Sequence, residues 1–583
     1  MSGSWDYIVI GAGSAGCALA NRLTADPRIK VLLIEAGGSD RSMRFRVPLL
    51  GPFQAMGNPN FDWMILSEPD PSRKGRVDLW ARGKVLGGSS SINGTIYVRG
   101  NRGDYDHWAQ LGNTGWNYDS LLPYFRRMED DAQGISNVYG KGGPIRVTRT
   151  RGPHPLVNTF IEAMGELGVP PNSDYNGENQ TGASVVHVTQ WRGWRWSSAR
   201  GYLEPARARP NLAIVTGAMV KRIVMEGRVA VGIEYTQAGV THVERCAGEI
   251  LLAASAMNSP KLLMLSGVGD PKQLADHGIP VVHANLNVGR NLHEHPCVAV
   301  KAFVNVHTTN LDFKPWGMLR NGIRFALFGS GPATYVFPAV AFVKLWPDSR
   351  QPDVQFHFAA SGWEETESGV RMLERPAVHI QPNVNRSQSR GYVQLRSADP
   401  LDTPVVQPNL LQSDYDLKTL VASLRMARSV LRTKAFQPYF VAERDPGAEV
   451  DDMDGLEEYV RSTARICFHP AGSNKMGVDA AAVVDPRLRV IDVGRLRVID
   501  SSIIPQLPSG NINAISMVIG EKGADLVLAD RRESSPSILW GERPSARNEV
   551  AHEPSLVTDE RIGQTPAARN TERAAPGPWG NAN

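Results

Sequence analysis

The stretch that most constrains this chain is "YIVIGAGSAGCALANRL", residues 7 to 23. Tyr7 to Ile10 have strand character and run into a glycine turn, and a helix follows from about Ser14 to Leu23. A second apolar run, "KVLLIE", ends at Glu35 and completes a βαβ unit. Gly11, Gly13 and Gly16 keep the G-x-G-x-x-G spacing. The first allows the tight turn, the second lets the backbone approach a pyrophosphate, and the third lets helix and strand pack closely. The helix N-terminus stabilises phosphate charge. Glu35 lies 19 residues beyond Gly16, where a carboxylate accepts hydrogen bonds from ribose hydroxyls. The pattern selects a dinucleotide, and NAD and FAD both use it.

A second glycine-rich run, "WARGKVLGGSSSINGTIYVRG", sets Gly87 and Gly88 before three serines and Asn93. Backbone amides and hydroxyls in such a run can approach a long ligand surface closely. Residues 211 to 235 are β-branched runs broken by "EGR", which reads as a hairpin or small meander. Next, "GEILLAASAMNSPKLLMLSGVG" predicts a strand from Ile250 to Ala253, a small-residue turn, and a helix starting near Ser259-Pro260. That is again a ligand-facing strand-to-helix junction. Between about 300 and 462, extended runs alternate with "DYDLKTLVASLRMARSVL", whose Leu417, Leu420, Val421, Leu424 and Met426 repeat at helical period. This region reads as a sheet with packed helices that walls a pocket. From Glu533 to Asn583 the chain turns rich in Pro, Glu, Arg, Ser and Asn, so a disordered tail is expected there.

Several function classes are excluded by composition. A net charge of +4 on 583 residues makes no concentrated basic field, which points away from nucleic acid and toward small molecules. Cys17, Cys246, Cys297 and Cys467 form no C-x-x-C pair, so neither a zinc site nor a disulfide framework is expected and a reducing compartment fits. The N-terminal apolar stretch is short and broken by glycines, neither signal peptide nor membrane span, and a cytoplasmic protein without an integral membrane segment is expected. "NLHEHP" offers His293, Glu294 and His295 but lacks H-E-x-x-H spacing, and no metal is expected. "WRGWRWSSARGYL" reads as pocket lining or interdomain packing, and "GWEETESG" as a solvated loop.

Six ordered motifs carry a family resemblance: "DYIVIGAGSAGCALANRL", "RGKVLGGSSSINGTIYVRG", "SAMNSPKLLMLSGVG", "VGRNLHEHP", "FHPAGSNKMG" and "LRVIDSSIIPQLPSGNINAISMVIGEKGADL". The chain resembles the glucose-methanol-choline (GMC) flavoprotein oxidoreductases, most of all their choline-dehydrogenase-like bacterial branch. The resemblance implies an α/β fold with a discontinuous Rossmann-like FAD domain over 1–155, 205–300 and 463–532. A substrate domain, a β-sheet packed with helices, is implied over 156–204 and 301–462. Matched by motif, the cofactor contacts are Gly11, Gly13, Ser14, Ala15, Gly16, Glu35, Ala36, Arg82, Gly87, Gly88, Ser89, Asn93 and Gly94. Val220 is expected near the adenine, Asp500 and Ser501 near the ribityl-pyrophosphate, and Asn511 at the isoalloxazine edge. Where flavin-linked members carry a histidine, this chain has Ile92, so noncovalent FAD is expected.

By the same matching, His469 of the H-P-x-G motif is the active-site base. Asn513, 44 residues further on, is its partner in the His/Asn version of the pair. Moving a hydride from a carbinol carbon to flavin N5 leaves positive character at carbon unless the hydroxyl proton departs, which calls for a base of near-neutral pKa. An amide beside it can donate to the developing alkoxide. The expected activity is therefore FAD-dependent oxidation of a primary alcohol to an aldehyde, with dioxygen or another acceptor reoxidising the flavin. The rival reading is a lyase on the same fold, of the hydroxynitrile lyase or fatty acid photodecarboxylase type.

Overall fold

The computed structural model describes residues 4–131, 133–134, 137–366 and 369–534. The tail expected from 533 lies outside them, apart from the last two residues of a helix that runs Asn513–Ser534.

Strand Trp5–Ile10 sits in the middle of a parallel sheet, with Ile8 opposite Leu32 on one side and Ile250 on the other. Leu212–Val215 extends the sheet past Val31–Ile34, and Leu496–Val498 pairs with the end of Val240–Leu252. These strands read as near-continuous apolar runs because both faces are covered. The stretch read as a hairpin or meander is an antiparallel meander, Ala218–Glu226, Val229–Gln237 and Val240–Leu252, attached to that sheet. Helix Ser14–Leu23 turns its Ala, Cys and Leu side chains into the core, and the final helix crosses it closely. A Cβ at Gly520 would stand 2.5 Å from the Ala15 carbonyl oxygen. Nearby, buried Glu521 takes Arg22 at 2.8 Å, Arg127 at 2.7 Å and the Tyr202 hydroxyl at 2.6 Å. Such a charge is stable in the interior only with partners of this kind.

A second, antiparallel sheet runs in the order Phe440–Asp445, Val300–Val304, Ala377–Val384, Val354–Ala359, Ala339–Val343, Gly182–Val185. The predicted amphipathic helix forms over Asp414–Leu431 and lays Leu417, Leu420, Val421 and Leu424 on this sheet's apolar face. Met426 is only partly buried at the edge. Each sheet has its own hydrophobic core.

Two local expectations are corrected. The helix expected near Ser259-Pro260 begins at Ser255, because Asp500 accepts the Ser255 backbone N–H at 2.9 Å and anchors the turn. Pro260 then lies inside the helix and cannot donate to Ala256, whose carbonyl instead accepts the Ser473 hydroxyl at 2.5 Å. Within the "GWEETESG" stretch, read as a loop, Trp363–Thr366 is a strand that pairs antiparallel with Gly369–Met372, and the Trp363 ring stacks on His379 at 4.1 Å, while Glu367 and Ser368 lie outside the described residues.

Candidate active site

A cleft opens at the ends of the parallel strands. Gly11, Gly13, Glu35 and Ala36 line it from the βαβ unit, and Arg82, Gly88, Ser89 and Val220 from the segments packed beside it. Gly11 needs its φ of +99°, and a Cβ there would meet the Ala253 carbonyl at 2.5 Å. Gly16 is closed in the same way, 1.9 Å from the Gly11 oxygen. Gly13 differs, since among the described residues a Cβ there would meet nothing within 4 Å beyond its chain neighbours. Its free side is a cradle that a ligand can fill. Glu35 is held between the Ala12 and Gly37 backbone N–H groups at 2.9 and 2.8 Å. Burial pushes its carboxyl up to about 7 against the pull of those amides. Each oxygen keeps acceptor capacity for a ribose hydroxyl. Gly16→Ala is expected to destabilise the fold by about 1–3 kcal/mol through overpacking, whereas Gly13→Ala folds and loses FAD affinity. Thermal unfolding and the flavin content of the two variants separate these effects, and a Gly13→Ala protein holding FAD as tightly as wild type would contradict the cradle.

Other expected contacts are placed differently. Ser14, Ala15 and Gly16 form the start of the first helix, and Gly94 leaves open space beside its backbone. Gly87 takes φ +87° and packs toward the Ser91 hydroxyl and Ala199. Asn93 turns its Oδ1 to Arg195, at 2.7 Å, and to the Thr95 N–H. Arg195, from the Trp-Arg segment, is buried and also reaches the Ser90 and Pro48 carbonyls, so it braces the glycine-serine run. Ser501 donates to the Pro470 carbonyl at 3.1 Å and its own carbonyl accepts from Gly472, which ties it to the H-P-A-G turn. Ile92 is buried with Phe45, Ala55 and Val85. The cleft wall also includes Trp63, Met219, Ala254, Ser255, Asn258 and Lys261, which sequence reasoning did not assign. The signal for four of them was the small-residue turn in "AASAMNSPK", read only as ligand-facing.

His469 is positioned by two segments that run antiparallel. His293 pairs with Ala471 and Pro296 with Ile466, which brings "HEHP" against "CFHPAG". Phe468 adopts φ +62°, an uncommon conformation for a bulky residue, just before the histidine. The turn aims the His469 backbone N–H at Glu294, 2.9 and 2.8 Å from its two oxygens. Burial pushes the Glu294 carboxyl up to about 8 although these amides and Arg82 oppose the shift.

The ring nitrogens of His469 are fixed by a chain of hydrogen bonds. His295 Nε2 faces the carbonyl oxygens of Asn385, at 2.8 Å, and Pro508, at 3.2 Å. Those oxygens only accept, so His295 Nε2 carries the proton. Burial lowers His295 to about 3, so the ring is neutral and its Nδ1 is a lone pair. That lone pair sits 2.9 Å from His469 Nδ1, which therefore carries the hydrogen. His469 Nε2 is left as an acceptor. Asn511 Nδ2 donates to it at 3.1 Å, and Asn511 Oδ1 accepts from Gln355 Nε2 at 3.1 Å. Burial, followed by the neighbouring His295, His357 and Arg82, holds His469 well below the usual histidine range.

The amide beside His469 is thus Asn511. Asn513, expected in that place, opens the final helix and accepts from the Ser14 hydroxyl at 2.8 Å, at the start of the first helix. The helical turn carries its side chain to the dinucleotide end. Glu294, His295 and His469 offer ligand atoms within 4.8 Å of one another. Their donor atoms are engaged in the hydrogen bonds above. Behind Asn511, His357, also hydrogen-bonded to it, leads into an aromatic group in which Phe337 lies 5.3 Å from His357 and 5.4 Å from Trp363.

Sequence profiles described as GMC oxidoreductase match residues 5–297 and 387–520. The chain is 40% identical over 527 residues to the oxygen-dependent choline dehydrogenase of Brucella canis, which covers 90% of this chain and 95% of that protein. It is 38% identical over 533 residues to the mitochondrial choline dehydrogenase of Homo sapiens, over 90% of this chain and 89% of the relative. Among solved structures, pyridoxine 4-oxidase from Mesorbium loti matches with a TM-score of 0.81 at 28% identity, covering 90% of this chain and 99% of that one. Nothing in these matches favours the lyase reading. This chain belongs to the GMC oxidoreductases, FAD-dependent enzymes that act on CH–OH donors.

Proposed function

We propose that the protein oxidises a neutral primary alcohol to its aldehyde, with His469 as the base and Asn511 as the oxygen-binding amide. The observation that carries this reading is the proton order from Asn385 through His295 to His469, which leaves a lone pair on His469 Nε2. Bound FAD supplies the hydride acceptor. His469 Nε2 takes the hydroxyl proton, and Asn511 Nδ2 donates to the oxygen as charge develops on it. Gln355 keeps the Asn511 amide from flipping. The glycine turn with Ser14, Ala15 and Asn513 would receive the pyrophosphate, Glu35 a ribose, and Val220 the adenine. Ile92 offers no group for a covalent flavin link, so FAD is dissociable. The chain divides into the FAD and substrate segments given above, and the two hydrophobic cores support that division. The residues that depart from it are Ala199, Tyr202, Leu203 and Leu395, which pack in the first core, and Val298, Val300 and Ala464, which pack in the second.

The substrate class follows from charge. Glu294, the carboxylate bonded to His469, already accepts three backbone N–H bonds, from His469 twice and from His295. His357 and His379 are held below the usual range by burial, so both rings of the aromatic group behind Asn511 are neutral. A quaternary ammonium group would be desolvated there without a counter-charge. Choline, named for the relatives above, is the second reading because of their identity to this chain. Anaerobic flavin reduction by benzyl alcohol is expected to exceed that by choline by about tenfold or more in kcat/KM. The opposite order would assign the pocket to choline. The acceptor is dioxygen or another oxidant, and all four cysteines are free thiols, which supports a cytoplasmic setting. No described helix is long and apolar enough to cross a membrane.

A pH profile tests the base. The base works only when neutral, and burial lowers its pKa, so activity is lost as pH falls through the lowered value. The rate of flavin reduction is expected to stay flat from about pH 9 to about pH 6.5 and to fall only at more acidic pH. A decline centred at or above the ordinary histidine pKa would contradict the buried, neutral assignment.

A further inference from the structure

Helix Pro315–Phe328 presents an apolar face to solvent. Gly317, Asn321 and Phe325 turn inward. A Cβ at Gly317 would meet the Asp312 carbonyl oxygen at 2.5 Å, Asn321 Nδ2 donates to Asp312 at 3.1 Å, and the Phe325 ring packs on Trp194 at 4.6 Å. On the opposite side Trp316, Leu319, Ile323 and Leu327 repeat at helical spacing and are 79%, 51%, 52% and 70% exposed. A surface helix ordinarily turns polar residues outward. An apolar stripe of this size marks an interaction site.

The charges carried by the helix itself have one sign. Lys314, Arg320 and Arg324 are exposed, and residues 314 to 328 contain no acid. Exposed Arg151 and Arg192 border the helix end, where Gly331 donates to the Arg151 carbonyl and Gly329 packs on the Arg192 backbone. Asp312 beneath the helix is already engaged by Arg320, His307 and Asn321.

We propose that this helix is an interfacial anchor that lays Trp316, Leu319, Ile323 and Leu327 into the headgroup boundary of an anionic phospholipid bilayer. The flanking cations engage lipid phosphates, and the tryptophan suits the headgroup level. A second copy of the chain fits less well. A symmetric contact would bring these cations together with no acid in the segment to answer them.

The test is sedimentation of the FAD-loaded protein with vesicles of phosphatidylcholine alone or mixed equally with phosphatidylglycerol. Binding to the mixed vesicles is expected to be roughly tenfold stronger and to weaken with added salt. The double substitution Ile323→Glu with Leu327→Glu is expected to keep the flavin spectrum and its reduction by alcohol but to lose vesicle binding. Equal sedimentation of wild type and variant, or none with either vesicle, overturns the proposal. A wild-type dimer that the variant splits, without vesicle binding, would assign the face to a second copy.

Discussion

His469→Ala is expected to slow reduction of FAD by alcohol by about 10²–10⁴-fold while the cofactor stays bound. The loss is specific because His469 contacts the protein mainly through its backbone N–H to Glu294 and its Nδ1 to His295. The alanine backbone still donates to Glu294, so the turn persists. What disappears is the one ring nitrogen that carries a lone pair, which Asn511 Nδ2 engages in this structure and which the substrate hydroxyl would take over. Rapid mixing under anaerobic conditions measures the rate, and the flavin-to-protein ratio checks the binding. Reduction at the wild-type rate would remove His469 from the chemistry.

The second large effect separates two asparagines two positions apart. Asn511→Ala is expected to lower the reduction rate by about 10²–10³-fold, the cost of removing a donor aimed at a developing oxyanion. Asn513→Ala is expected to leave that rate nearly unchanged and to weaken FAD retention, since its amide meets Ser14 at the first helix. The same stopped-flow traces, read beside a flavin-release assay, decide the matter. If Asn513→Ala abolished reduction and Asn511→Ala did not, the assignment would be reversed.

These two residues show what the sequence can and cannot reveal. The βαβ unit was legible because its glycines answer local backbone demands: Gly11 needs a positive φ, and Gly16 has no room for a Cβ. The amphipathic helix over Asp414–Leu431 was legible because its period is local too. The amide partner was not. A 44-residue spacing pointed to Asn513, but spacing does not reveal where a helix starts. Gly510, at φ +92°, turns the chain just before Asn511, and the helix begins at Asn513. One asparagine is therefore directed at His469 and the other at Ser14. The proton order in the site was hidden for another reason. It depends on carbonyl groups of Asn385 and Pro508, which lie 90 and 213 residues from His295. "NLHEHP" was visible as a cluster, but only the antiparallel approach of 293–297 to 465–471 shows that His295 orients His469.

Anaerobic titration of the oxidised holoenzyme with neutral primary and benzylic alcohols tests the central claim most directly. The arrangement of His469 and Asn511 predicts bleaching of the flavin with formation of one aldehyde per flavin. A flavin that stays oxidised with every alcohol offered would contradict the claim that this site removes a proton and a hydride from a CH–OH group.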